Sequence, residues 1–168
     1  MDLLEKQQHS SGNDIDQGSL LDYDWTRETI PLLKLLCIHV VLSLAEAFTK
    51  IGFIHGDLHW GNILFKRTTQ SEIVYDVNGK KTILPTNGYI VDFDKSKTKI
   101  TDIQLFWRNI RKFISSGCEI SKRNGENMSW KCSKLIHQID KYRENESSVD
   151  CIYKIVQMIR TSDFEFWV

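Results

Sequence analysis

A formal net charge of zero, from 22 basic and 22 acidic residues among 168, leaves no global field to draw the chain to nucleic acid or to a membrane surface. Its four cysteines, Cys37, Cys118, Cys132 and Cys151, include no Cys-x-x-Cys pair. A zinc ribbon and a disulfide framework are therefore without support. Met1 to Leu21 is polar and lacks the apolar centre of a secretory signal, and no apolar run approaches the roughly 18 residues of a membrane span. Together these absences predict a reducing intracellular setting, cytoplasm or nucleus, with no membrane and no direct nucleic-acid partner. His55 and His59 have the i, i+4 spacing of two ligands on one helix face, but there is no His-Glu-x-x-His and Gly56 and Gly61 oppose a helix there. A zinc centre is not expected. Internal repeats and low-complexity tracts are also missing.

What is present is the composition of an ordinary globular domain, 41% hydrophobic and 26% charged. At this length a single domain hides roughly 70% of its unfolded surface. Charge is uneven along the chain. Asp2, Glu5, Asp14, Asp16, Asp22 and Asp24 face only Lys6 before residue 25, whereas Lys95 to Lys112 is basic. Both runs read as solvated surface.

Met1 to Gly18 reads as a loose start. From Pro31, a helix is predicted: Leu33, Cys37, Val40, Leu44, Ala47 and Ile51 share one stripe. Pro31 suits its first turn and Gly52 its stop, and Cys37 reads as a buried free thiol. Two β-type runs, Ile73 to Val77 and Lys81 to Leu84, flank Asn78-Gly79, a strong hairpin signal. A third strand, Gly88 to Val91, leads into Asp92-Phe93-Asp94. Asp102 is placed to cap an amphipathic helix of Ile103, Phe106, Trp107, Ile110, Phe113 and Ile114. Gly117 to Asn127 reads as a polar connection, Trp130 to Arg143 as a helix, and Ser147 as the start of a last one. The order predicts a mainly helical α+β lobe.

The chemistry concentrates in His55-Gly56-Asp57-Leu58-His59-Trp60-Gly61-Asn62, with a strand ending in Asp92 about thirty residues later. Phosphoryl transfer requires an oriented nucleophile and neutralised phosphate charge rather than covalent work by the protein. Asp57 can accept a hydroxyl proton. The Asn62 amide oxygen and the Asp92 carboxylate are the hard ligands that Mg²⁺ prefers, with Mn²⁺ as the alternative ion. His55 reads as a structural brace for the loop, and Trp60 as packing.

His-x-Asp-x4-Asn followed by a strand and Asp-Phe-x resembles the catalytic loop and metal motif of the protein-kinase-like superfamily. Asp57-Leu58-His59-Trp60-Gly61-Asn62, the Tyr75 to Pro85 hairpin, Ile90-Val91-Asp92 and the preceding Leu44-Ala45-Glu46-Ala47 are closely similar to the haspin family of atypical serine/threonine kinases, over about residues 33 to 95. The resemblance implies the C-terminal lobe of a kinase-like fold across residues 25–168, with its catalytic loop at 53–65, its metal motif at 92–94, and residues 1–24 near the interlobe hinge. It implies ATP and Mg²⁺ as cofactors, Asp57 as proton acceptor, and Asn62 and Asp92 as nucleotide and metal ligands, with a protein hydroxyl favoured over a small molecule. Gly56 replaces the usual Arg, as in aminoglycoside phosphotransferases. Asp94 replaces a common Gly, and Asp92-Phe93-Asp94-Lys95 with Trp107-Arg108-Asn109 is similar to Kdo sugar kinases. With about seven residues between Asp94 and the next helix, a sugar or other small acceptor stays open.

Only 32 residues precede the helical stripe, and they hold no Gly-x-Gly-x-x-Gly and no strand lysine. The N-terminal lobe that covers ATP is expected to be absent. A truncated chain, a second chain supplying that lobe, and a non-catalytic binding module are the three readings, and weak nucleotide binding by the chain alone is expected.

Overall fold

In the computed structural model, residues 17–26, 28–94, 97–99, 102–123 and 130–162 are described. The expectations for residues 1–16, for Lys95, and for 124–127 of the polar connection lie outside them. Among the described residues the order is β1 (Gln17–Ser19), α1 (Ile30–Ile51), β2 (Phe53–His55), a 3-10 turn (Trp60–Asn62), β3 (Ile63–Arg67), β4 (Glu72–Val77), β5 (Lys80–Pro85), β6 (Tyr89–Phe93) and β7 (Lys97–Lys99). There follow α2 (Ile103–Arg123), α3 (Trp130–Glu144), a second 3-10 turn (Val149–Cys151) and α4 (Ile152–Thr161). The fold is α+β. Three small antiparallel sheets join β1-β3-β6, β2-β7 and β4-β5.

Helix α1 is the axis of the core. Pro31 stands in its first turn, and Gly52 ends it with a φ of 64° while its N–H closes onto the Ala47 and Phe48 carbonyls, the left-handed stop that glycine adopts without strain. Leu33, Cys37, Val40 and Leu44 are buried as the stripe requires, but so are Leu36, Ile38, Val41, Leu42 and Ala45 on its flanks. Burial holds Cys37 as a thiol by pushing its pKa up. Ile51 departs from the stripe and is 61% exposed at the helix end. The expectation that nothing approaches a membrane-span length is corrected here. An 18-residue window of α1 has a mean hydropathy of 1.8, long and apolar enough to span, although 56% of it is buried within the chain. A helix packed against β2, β4, β6 and α4 is apolar on most faces because most faces meet protein.

The β4-β5 hairpin has the predicted turn: Asn78 and Gly79 take φ of 52° and 85°, the positive pair a tight hairpin needs. It is fastened to α1 by a buried polar cluster. His39 Nε2 donates to the Pro85 carbonyl at 2.9 Å, which leaves Nδ1 to accept from the Tyr75 hydroxyl at 2.7 Å. Glu46 Oε1 accepts from the Asp76 N–H at 3.1 Å.

Helix α2 begins as predicted, with Asp102 Oδ1 accepting from the Gln104 N–H at 2.8 Å. It does not stop before Gly117 but runs on to Arg123. Glycine there answers a packing demand rather than a break: a Cβ at Gly117 would lie 2.5 Å from Cζ2 of Trp60. Cys118, in the next position, is disulfide-bonded, which the scattered spacing gave no reason to expect. The cap of the last helical segment is Ser148, whose Oγ accepts from the Asp150 N–H at 3.2 Å. Ser147 instead offers its carbonyl to Trp107 Nε1 at 2.9 Å. At the other end, β1 pairs with β3, and Leu20 and Trp25 enter the core.

Candidate active site

The loop from Gly56 to His59 leaves β2 and re-enters regular structure at the Trp60–Asn62 turn, and two buried side chains anchor it. Leu58 is fully buried and Trp60 nearly so. The Trp60 indole Nε1 donates to the Phe113 carbonyl at 3.2 Å, and its backbone N–H donates to Ser116 Oγ at 3.1 Å. Both partners lie on α2, so that helix is the floor of the loop. His59 starts the turn by accepting the Gly61 N–H on Nδ1 at 3.1 Å, a side-chain cap of the kind that satisfies a free first-turn amide.

Asp57 projects from this floor with its side chain 53% exposed. The Asn62 Nδ2 group donates to the Asp57 carbonyl at 2.8 Å and lies 3.4 Å from Oδ2. Lys112, from α2, brings its Nζ to 3.0 Å from Oδ1, and His59 Nε2 stands 3.6 Å from Oδ2. The Lys112 hydrogen bond holds the Asp57 carboxyl below its ordinary pKa, opposed by desolvation and aided by weaker Coulombic effects of Lys112, His59 and His55. Asp57 is therefore a carboxylate at neutral pH, able to accept a proton.

His55 ties the loop to the end of β6. Its ring is 2% exposed. Nδ1 accepts the Asp57 N–H at 3.1 Å, which puts the ring hydrogen on Nε2, donated to the Asp94 carbonyl at 2.6 Å. The Asp94 N–H in turn donates to the Asn62 carbonyl at 2.8 Å. His55, Asp57, Asn62 and Asp94 thus form one hydrogen-bonded circuit linking a loop to a strand end. Asp92 stands beside it, opposite Leu64 in the β3-β6 register. Its exposed carboxylate accepts the Phe93 N–H at 2.8 Å and is hydrogen-bonded to neither Asp57 nor Asn62.

The donor set suits a hard divalent cation. Asn62 is 3% exposed; its amide nitrogen is committed to Asp57, and its Oδ1 has no hydrogen-bond donor among the described residues. A buried carbonyl-type oxygen without a partner is costly unless something completes it. With one Asp92 oxygen still open, one amide and one carboxylate are available, the pattern Mg²⁺ uses when phosphates and water supply the rest. No cluster of three or more His, Cys, Asp or Glu able to hold a metal occurs among the described residues.

Lys112 was not singled out by the sequence reading, which took the basic run as solvated surface. The only local signal was helical phase: Lys112 falls outside the apolar stripe of α2, as do Leu105, Arg108 and Asn109.

No protein-family model matches the chain. Over 81 residues, 46% of this chain, it is 38% identical to the serine/threonine-protein kinase haspin of Bos taurus, and over 81 residues it is 36% identical to that of Mus musculus. A haspin homolog of Arabidopsis thaliana is 32% identical over 98 residues, 56% of this chain. The chain spans 10%, 11% and 15% of the length of these three relatives. A relationship to haspin kinases over about half of this chain follows.

Proposed function

We propose that residues 25–168 form the C-terminal lobe of a kinase-like fold, and that the chain is the catalytic lobe of an ATP-dependent phosphotransferase acting on a serine or threonine hydroxyl. The observation that carries this reading is the circuit joining Asp57, Asn62 and Asp94 through His55, because it would hold a proton acceptor against a buried amide oxygen to which no described residue donates. Asp57 takes the hydroxyl proton as the acceptor oxygen bonds to the γ-phosphorus and the bond between that phosphorus and the β,γ-bridging oxygen breaks, leaving ADP. A carboxylate of low pKa suffices, since the loose transition state of phosphoryl transfer draws little on base strength. Asn62 Oδ1 and Asp92 would hold Mg²⁺, which when bound neutralises phosphate charge. His55 orients the loop and touches no reactant.

Thermal unfolding of the chain in Mg·ATP tests the assignment. A ligand that binds only the folded state raises the Tm by mass action. Asp92→Asn should abolish the rise, and Asp57→Ala should keep it while abolishing transfer to hydroxyl. Equal rises in wild type and Asp92→Asn would place the nucleotide metal elsewhere and overturn the reading.

A further inference from the structure

Helix α2 turns a second face inward beside the catalytic loop. Leu105, Arg108, Asn109 and Lys112 recur at the i, i+3, i+4, i+7 spacing of one helix face. They line a cleft of about 220 Å³ whose other wall is Ile54, His55 and Gly56. Gly56, the chain neighbour of Asp57, contributes no side chain to that wall.

The polar groups of this cleft are one-sided. None of its lining residues among the described ones is acidic, and both ring nitrogens of His55 are already engaged. Asn109 is 7% exposed, yet its carboxamide has no hydrogen-bond partner among the described residues. Buried amides are almost always paired, so one that faces a cleft without a partner marks a place where a ligand or water completes the bonding. Arg108 is exposed and forms no ion pair among the described residues. Lys112 closes the row and reaches Asp57 at 3.0 Å. A guanidinium, an amide N–H₂ and an ammonium along one wall are donors matched to an anion.

Resting on the reading of Asp57 as proton acceptor, we propose that this cleft seats an anionic group, phosphate or carboxylate, carried by the acceptor substrate next to its hydroxyl. Arg108 and the Asn109 amide bind the anion. Lys112 stands between the anion and the Asp57 carboxylate and keeps the two negative groups from repelling each other. The acceptor is thereby a hydroxyl beside an acidic group: a serine or threonine next to an acidic residue keeps the acceptor proposed above, and a small phosphorylated alcohol would replace it.

The test is a nitrogen–proton NMR titration of the chain, without metal or nucleotide, reading the Asn109 carboxamide and the Arg108 Nε–H. The probes are inorganic phosphate, glycerol 3-phosphate, a capped Ser-Glu dipeptide and uncharged glycerol. Saturable shifts with the three anionic probes and none with glycerol are expected, and Arg108→Gln should raise the apparent Kd about tenfold, the scale of one charge-assisted hydrogen bond. Tighter binding of glycerol 3-phosphate than of phosphate assigns a small phosphorylated alcohol; tighter binding of the dipeptide assigns an acidic peptide. Asn109→Leu should lose the Arg108 response while its Tm stays level or rises, because an unpaired buried amide has been removed. An unmoved Asn109 carboxamide, or equal Kd values in wild type and Arg108→Gln, overturns the proposal. So does a fall in Tm for Asn109→Leu, which would reveal a structural partner for the amide. Anion binding without a Mg·ATP-dependent rise in Tm would sink the phosphotransferase reading alone; the rise without anion binding would sink the cleft alone.

Discussion

Lys112 Nζ and Asp57 Oδ1 lie 3.0 Å apart although 55 residues separate them, so a helix cation sits against the carboxylate of the candidate proton acceptor. Each side chain is 53% exposed, and an exposed pair of this kind is screened by salt and contributes little to folding. Its consequence lies in protonation.

Lys112→Met should raise the Asp57 pKa toward the ordinary aspartate range, since the hydrogen bond that lowers it is removed. Carbon-detected NMR of the Asp57 carboxyl reads this directly, and the acid limb of kcat/KM should move to higher pH. In the wild type the depressed value makes the folded chain bind this proton less readily than the unfolded one. The contribution to stability is present above the unfolded aspartate pKa and lost as pH falls through the folded value. An Asp57 titration unchanged in Lys112→Met would mean the pair does not persist in solution.

Asn62→Ala deletes the amide that bridges to the Asp57 carbonyl at 2.8 Å and leaves that carbonyl short of a partner. Loss of a part-buried hydrogen bond of this kind costs about 0.5–1.5 kcal/mol, so the urea midpoint should fall without a change in slope. The Mg·ATP-dependent rise in Tm should vanish as well. A variant with wild-type stability would show that the bridge is replaced by solvent.

Gly117→Ala should destabilise, against the usual gain of about 0.5–1 kcal/mol for removing a helix glycine. The new Cβ would meet Trp60 Cζ2 at 2.5 Å and Cε2 at 2.8 Å, and the indole is buried with nowhere to yield. Overpacking of this sort costs about 1–3 kcal/mol. Since Trp60 anchors the loop that carries Asp57, its fluorescence should shift and phosphotransfer should fall with it. A rise in Tm would show that the helix and the indole separate easily.

His39 predicts a pH dependence of stability unconnected with the site. Burial lowers its pKa, only partly offset by the bond to Pro85. The unfolded chain therefore takes up a proton at higher pH than the folded one. Stability is full above the unfolded histidine value of about 6.5 and declines as pH falls from there toward the folded pKa. Urea midpoints between pH 5 and 8, a range of about three units around that value, should show this slope in wild type and lose it in His39→Leu. The variant should also be about 1–3 kcal/mol less stable at pH 8, from leaving the Pro85 carbonyl without its donor and the Tyr75 hydroxyl with Ser43 alone. Parallel slopes would assign the titration to another group.

The features legible in the sequence were those whose causes are local. The α1 stripe, the Gly52 stop, the Asn78-Gly79 turn and the Asp102 cap follow from periodicity, φ preference and one-turn hydrogen bonds, all within a few residues. Residues 55–62 were readable as a candidate site because the residue types that phosphotransfer would use are crowded into one loop. Tertiary structure decided the rest. Gly117 looked like a break because sequence carries no trace of the Trp60 ring pressed against it. Lys112 looked like solvated surface, because which side of α2 meets the loop depends on how the two pack. Asp57 alone is an ordinary exposed aspartate. Its low pKa, and the Asn62 amide oxygen and the Asn109 carboxamide that meet no partner among the described residues, exist only where the folded chain brings a cation close and excludes water, and Coulomb energies and desolvation depend on distance in space rather than along the chain.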